Sequence, residues 1–483
     1  LYLPNLAFSY TTNIKDIFKG CNSLTLINLD NFTYSYIDDF SNMFYDCTSL
    51  EYIDLSNFKG SNKENRMDYM FNNCKNLLSL NLSNLDLTYT TNISYMFNGC
   101  SLLKNITIIN INESNIEDYS YMFNNCISLE YIDLSNFKGS NITNRMEYMF
   151  NNCYNLKAID FSNLDISFTI DSNYIFVNLE NLQYLFLSNL KAYYKDDFSY
   201  MFSNLTNLIS IDLTNFIGSS INNTMEGMFS NCSKLQELYL PNLDFSYTTN
   251  IKDIFKGCYS LTSINLSNFT TSYIDDFSNL FYDCNLLKID LSNFKGSKVA
   301  NRMDYMFNNC SKINYIDLSN LDLTYTTNIS YMFNGCLSLN NIKIKNRNES
   351  NIKDYSYMFN DCNSLRTIDL SNFKGSKVQN RMDYMFNNCK KLISINLVDF
   401  DITLTTDFSY MFNNCSLIKK INLSYFNGAI VPNNVQNMFN NCNNLKILDL
   451  SKLDISYSIN PNKIFFGCHN LEYIILTNMK ANY

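Results

Sequence analysis

Hydrophobic positions along this chain obey a fixed beat. Residues 50 to 74 show one cycle: Leu50, Ile53 and Leu55 form an LxxLxL run, alternating at Ile53 and Leu55 as a short half-buried strand does. A polar turn follows at Lys59-Gly60-Ser61-Asn62. Then Met67, Met70, Phe71 and Cys74 fall at i, i+3, i+4 and i+7, the spacing of one helix face. Phe40, Met43, Phe44 and Cys47 precede this cycle, and Ile93, Met96, Phe97 and Cys100 follow it. The pattern predicts an α/β solenoid in which each coil of 26–27 residues carries one short strand and one short helix.

Sixteen cysteines mark the period, with Leu179 and Leu205 at the two beats where cysteine is missing. A slot that accepts leucine is apolar, so the thiols read as reduced and buried, with no disulfide framework. No pair of Cys or His at short spacing offers a metal site. The single histidine, His469, reads as a bystander beside Cys468. Nothing resembles a phosphate loop or a nucleophile elbow, so no catalytic, cofactor or metal residue is assigned and no enzyme is expected.

Asn stands two residues past the last strand leucine in 16 of 19 coils, Asn57, Asn84, Asn163, Asn320, Asn346 and Asn372 among them. Strand parity points this side chain inward, as a ladder of amides bonding adjacent loops. The combination of LxxLxLxN with an MFxxCxxL element, as in Met70-Phe71-Asn72-Asn73-Cys74-Lys75-Asn76-Leu77, resembles the BspA-like leucine-rich repeat surface proteins. The resemblance covers essentially all of residues 1–483. It implies surface display, adhesion and contact with host or matrix, and it supplies no catalytic residue.

The beat also defines a longer organisation. Three coils make 79 residues, and the stretch from Leu1 to Cys21 returns almost unchanged from Leu238 to Cys258. Residues 1–483 therefore read as one array of about 19 coils, the cassette 1–237 being partly duplicated in 238–483. Both ends look cut within a coil. Lys59 and Arg66 recur as Lys138/Arg145, Lys295/Arg302 and Lys374/Arg381. This pair reads as a solvated turn plus an arginine at a helix start, with a docking spot for an acidic partner as the sharper alternative.

Charged residues are only 17% of the chain, and its net charge is −9. That balance argues against nucleic acid as a partner. No apolar run approaches a membrane-spanning length. Sequons such as Asn81, Asn92 and Asn105 are compatible with secretion. The polar side of the strands supplies the candidate binding stripe: Tyr52, Asp54, Tyr131, Asp133, Asp160, Asp212, Asp290, Tyr315, Asp317, Asp369 and Asp449. The expectation is a non-enzymatic extracellular or cell-surface protein offering an extended adhesion surface to a protein or a surface glycan. The alternative is a structural filament or coat subunit that assembles with copies of itself through repeat–repeat and end-to-end contacts.

Overall fold

The computed structural model describes residues 11–29, 36–55, 58–108, 112–134, 137–163, 165–187, 197–213, 216, 219–240, 245–264, 272–286, 291, 294–346, 348–398, 400–423, 431–451 and 458–475. The chain divides into two compact units, Leu1–Tyr247 and Thr248–Tyr483. In each, successive coils pair strand to strand in parallel, 26 or 27 residues apart. The first unit holds a five-stranded parallel sheet in the order Ser79–Leu82, Asn105–Ile108, Tyr131–Asp133, Ala158–Asp160 and Tyr184–Phe186. The second unit repeats the arrangement in shorter sheets, such as Tyr315–Leu318 beside Asn341–Ile344. A second row of short strands runs along the coils, among them Asn380–Arg381, Thr405–Asp407 and Asn433–Asn434.

The apolar half of the sequence pattern is met in full detail. Met67, Met70, Phe71 and Cys74 are all buried, as are Leu77, Leu80 and Leu82 of the next strand. The conformation behind that pattern differs from the expectation. The described residues contain no helix. The MFxxC segment is instead two linked tight turns, in which the amides alternate between two kinds of acceptor. Met70, Asn72 and Cys74 donate back three residues, to Met67, Tyr69 and Phe71. Tyr69, Phe71 and Asn73 donate to the next coil, to Ser94, Met96 and Asn98. A helix would send every amide to the residue four before it.

Left-handed residues enforce this alternation. Tyr69 (φ 58°) and Asn73 (φ 59°) both lie in the region that interrupts a right-handed helix. The pair recurs 18 times among the described residues. Its second member is always Asn, Asp or Gly, the residue types that adopt this conformation most readily. Two four-residue turns and a helix face put apolar side chains on one side at the same spacing, so the pattern alone could not separate them.

The cysteines line the core as free thiols. All are buried except Cys21, which is exposed, and Cys468, which is half-buried. Each buried thiol has a partner that a methylene group could not serve. Cys100 Sγ donates to the Phe71 carbonyl at 3.2 Å, Cys336 Sγ to Phe307 at 3.2 Å and Cys415 Sγ to Phe386 at 3.2 Å. Leu179 and Leu205 fill the same slot at 0% exposure.

The inward Asn ladder is overturned. Among the described positions, Asn84, Asn163, Asn320 and Asn372 are exposed, and Asn346 is buried. A turn follows the last strand leucine and rotates the chain, so Leu85, Leu321 and Phe373, one residue later, enter the core instead. An amide ladder does exist, inside the tight turns. Asn334, Asn360, Asn387 and Asn413 each donate to the amide oxygen one coil back, beginning at Asn308, all at 2.6 Å.

Candidate functional site

Strand alternation fixes the first candidate surface. In Tyr131–Asp133 the middle residue Ile132 is buried while both neighbours are exposed. Tyr52, Tyr131 and Tyr315 are exposed on this sheet face. Asp133, Asp212 and Asp369 are exposed too, and Asp54, Asp160, Asp317 and Asp449 are half-buried. Asp290 lies outside the described residues. Parallel register sets Asp133 directly beside Asp160.

Elsewhere the acidic row is interrupted by partners that compensate it. Asp54 faces Asn28. Asn396 Nδ2 donates to Asp369 Oδ1 at 3.0 Å. Lys343 Nζ sits 3.4 Å from Asp317, whose other neighbours are the Tyr315 hydroxyl at 3.0 Å and the Ser319 amide. These bonds, the Ser319 hydroxyl foremost, hold the Asp317 carboxyl down at about 2. Several of these aspartates also cap the turn behind the strand, as Asp369 does for the Ser371 amide and Asp449 for the Ser451 amide. The stripe is therefore a real surface, with its acid partly committed to local structure. Tyr184 and Phe186 extend it, 59% and 51% exposed. The sequence signal for them was the LxYLFL run, where aromatic residues replace the polar side of the strand.

The second surface was not anticipated. The first left-handed position of the turn pair is Tyr in 11 of its 18 occurrences. A bulky residue there costs about 1–2 kcal/mol, which the Asn, Asp and Gly found in other coils largely avoid. These tyrosines stack along the coils as two ladders. Tyr69, Tyr95, Tyr121, Tyr148, Tyr174 and Tyr200 follow one another with ring centroids 4.7–5.5 Å apart and planes within 18°. In the second unit Tyr305, Tyr331, Tyr357, Tyr384 and Tyr410 stack at 4.4–4.5 Å. The rings are half-buried against each other. The first ladder ends at Gly227, where an added Cβ would sit 2.4 Å from the Tyr200 ring.

Charged residues flank most of the ladder tyrosines, one or three residues before the ring, while Tyr95 and Tyr331 have Asn and Ser there. Arg66, Arg302 and Arg381 each grip the aspartate two residues on with two bonds of 2.8–3.0 Å. The recurrent arginine is thus tied within its own turn, as a local ion pair. Arg145 departs from this: the following acid is Glu147, and Arg145 reaches instead to Asp118 at 3.7 Å. Glu147 is pushed above the usual carboxylate range by burial and then by the neighbouring Asp171. Burial, followed by these acids, also raises the hydroxyls of Tyr121 and Tyr148.

With this geometry in view the likenesses to known proteins can be placed. A family described as "Mycoplasma protein of unknown function, DUF285" matches residues 12–107, 65–189, 196–315, 301–426 and 381–479. The chain belongs to the DUF285 family. The resemblance to BspA-like leucine-rich repeat proteins read from the MFxxCxxL element holds alongside it. No curated protein matches. Among solved structures, the DUF285 chain is similar to a leucine-rich repeat protein from Bacteroides ovatus, at 17% identity over 87% of this chain and 86% of that one, TM-score 0.44. It is also similar to a leucine rich cell surface protein from Faecalibacterium prausnitzii, at 17% identity over 74% and 82%, TM-score 0.30. An internalin from Listeria monocytogenes matches at 14% identity over 67% and 88%, TM-score 0.25. At such values the likeness is one of repeat architecture, and no activity follows from it. Among the described residues no helix is long and apolar enough to cross a membrane.

Proposed function

We propose that this DUF285 chain is a non-enzymatic extracellular or cell-surface protein that holds a protein or surface-glycan partner along its parallel sheet face. The observation that carries the reading is the exposed aromatic and acidic stripe of the first unit. There Tyr131, Asp133, Asp160, Tyr184 and Phe186 stand on adjacent strands in register. Exposed aromatic rings set among carboxylates are costly to leave in water, and they are the residue types that anchor interfaces. Repeat proteins commonly use such a continuous sheet surface for binding.

The test is adhesion of the purified chain to host cells, matrix proteins and glycan arrays, compared with a Tyr131→Ser/Tyr184→Ser/Phe186→Ser variant. Loss of capture by at least tenfold in the variant, with the thermal transition unchanged, supports the reading. Equal capture by both proteins removes this face from consideration. Continuous fibres of the purified chain in electron microscopy would favour instead a structural subunit whose partner is its own copy.

A further inference from the structure

The tyrosine ladder of the first unit is a surface separate from the sheet face. We propose that the strip formed by Tyr95, Tyr121, Tyr148 and Tyr174, with the carboxylates of Asp118, Glu147 and Asp171 beside it, docks an extended arginine-rich peptide segment of a protein partner.

Three observations lead there. Tyr is kept at a backbone position where Asn, Asp or Gly serves six of the seven other coils at less strain, Lys463 being the seventh, and an outlier of this kind, repeated in one contiguous row, points to use of the side chain. The ring faces are already occupied by neighbouring rings. Centroid gaps of 4.7–5.1 Å are too narrow to admit another flat group, which needs about two van der Waals contacts, roughly 7 Å. A ligand therefore meets a ribbon of ring edges and phenol oxygens, which accept hydrogen bonds. The third observation is charge. Around Tyr95 to Tyr200 the flanking positions hold four carboxylates, Asp118, Glu147, Asp171 and Asp197, against a single cation, Arg145. Guanidinium groups match this surface: they donate in a planar fork to carboxylates and to phenol oxygens, and they shed water more readily than ammonium groups.

The second ladder provides a built-in contrast. Around Tyr305 to Tyr410 four flanking carboxylates face two arginines, and Arg302 and Arg381 each hold one acid in a two-bond pair. The rings are the same and the field is weaker, so the basic segment belongs on the first ladder.

The experiment is titration of a labelled oligo-arginine peptide into the full chain at near-physiological salt, read by fluorescence anisotropy. Three variants accompany it: Tyr121→Asn/Tyr148→Asn, Tyr357→Asn/Tyr384→Asn, and Asp369→Asn/Asp449→Asn on the sheet face. Asn already occupies the left-handed position at Asn42, Asn279 and Asn437, so the substitutions suit the backbone. Circular dichroism confirms folding of each. The first variant should weaken binding about tenfold or more, and the other two less than about twofold. Weakening only in the sheet-face variant, the one that changes the net charge, would show attraction to net negative charge alone and overturn the proposal, and equal weakening by all three would overturn it as well. So would no change in the first variant, or tighter binding to an uncharged or acidic peptide of equal length. Failure of the sheet-face adhesion test leaves these outcomes unaffected, because none of them involves Tyr131, Tyr184 or Phe186.

Discussion

Two aromatic ladders run along each unit only two residues apart in sequence, and they obey different rules. Phe359 and Tyr357 share a coil. The phenylalanines stack through the core at 5.3–6.1 Å, enclosed except at Phe18 and Phe465, which are half-buried. The tyrosines stack at 4.4–5.5 Å and are only half-buried. The inner ladder is explained by burial alone, since each ring removes a large apolar surface from water on an unstrained backbone. The outer ladder removes less, and it does so from a strained one. What the inner ring contributes is stability. What the outer ring contributes must be sought in its exposed edge.

The comparison breaks most visibly at high pH. Behind the inner ladder, burial pushes the thiols of Cys100, Cys232, Cys336 and Cys415 from 9.0 up to about 12. The folded-state value lies above the unfolded one, so the fold holds these protons more tightly. Their contribution is complete below pH 9 and is lost as pH rises toward 12. Each thiol gives up about 1.4 kcal/mol per pH unit in that window. With several such groups the chain should unfold cooperatively between these limits, and thiol-reactive dye should stay unreacted with the buried set at pH 8. Unfolding followed by circular dichroism against pH checks this. A transition governed by the outer phenols would appear first as tyrosinate absorbance with the secondary structure intact.

Next in size is truncation within one coil. Phe359→Ala should cost about 3–5 kcal/mol in urea unfolding, because the neighbouring rings Phe333 and Phe386 cannot close the gap. Tyr357→Asn should cost under about 1 kcal/mol. It loses two stacks of roughly 0.5–1.5 kcal/mol each and regains the left-handed strain of about 1–2 kcal/mol. Equal costs for the two would show that the outer ladder is part of the core, and would remove the case for its exposed edge.

The inner ladder was legible in the sequence and the outer one was not, for a physical reason. Burial writes a periodic apolar code, so Phe71, Met70, Cys74 and the strand leucines could be placed facing inward without knowing the backbone between them. Conformation writes a weaker code. Asn73, Gly99, Asn125 and their equivalents carry the left-handed signature in every coil. At the first left-handed position the same signature is masked by Tyr69, Tyr95 and Tyr121, which read as ordinary half-buried residues. The helix was inferred where linked turns exist, and the ladder of tyrosines that those turns create went with it. The inward amide failed similarly. Alternation was carried past Leu82 into a turn, where Asn84 faces outward. The sheet stripe was readable because parity holds within a strand, and Asp133 and Asp160 stand where alternation puts them.

The smallest expected effect bears on the charge beside the outer ladder. Glu147 is held up first by burial and then by Asp171, so the folded chain binds this proton more tightly than the unfolded chain does. Its contribution to stability is present below the ordinary carboxylate range and falls as pH rises through the elevated folded value. Glu147→Gln removes the charge without removing volume. At pH 4 the variant and the parent should melt together. At pH 7 the variant should melt slightly higher, by about a degree or two at most for a half-buried group. The control is Glu130, whose partner Lys157 at 2.7 Å holds its carboxyl below the usual range. There the corresponding Gln substitution should leave melting at pH 7 unchanged or slightly lower. A Glu147→Gln chain that melts lower at pH 7 would mean the carboxylate is satisfied in the free protein. The acidic strip along Tyr121 and Tyr148 would then already be compensated, leaving the outer ladder no unmet charge to distinguish it from the one in the second unit.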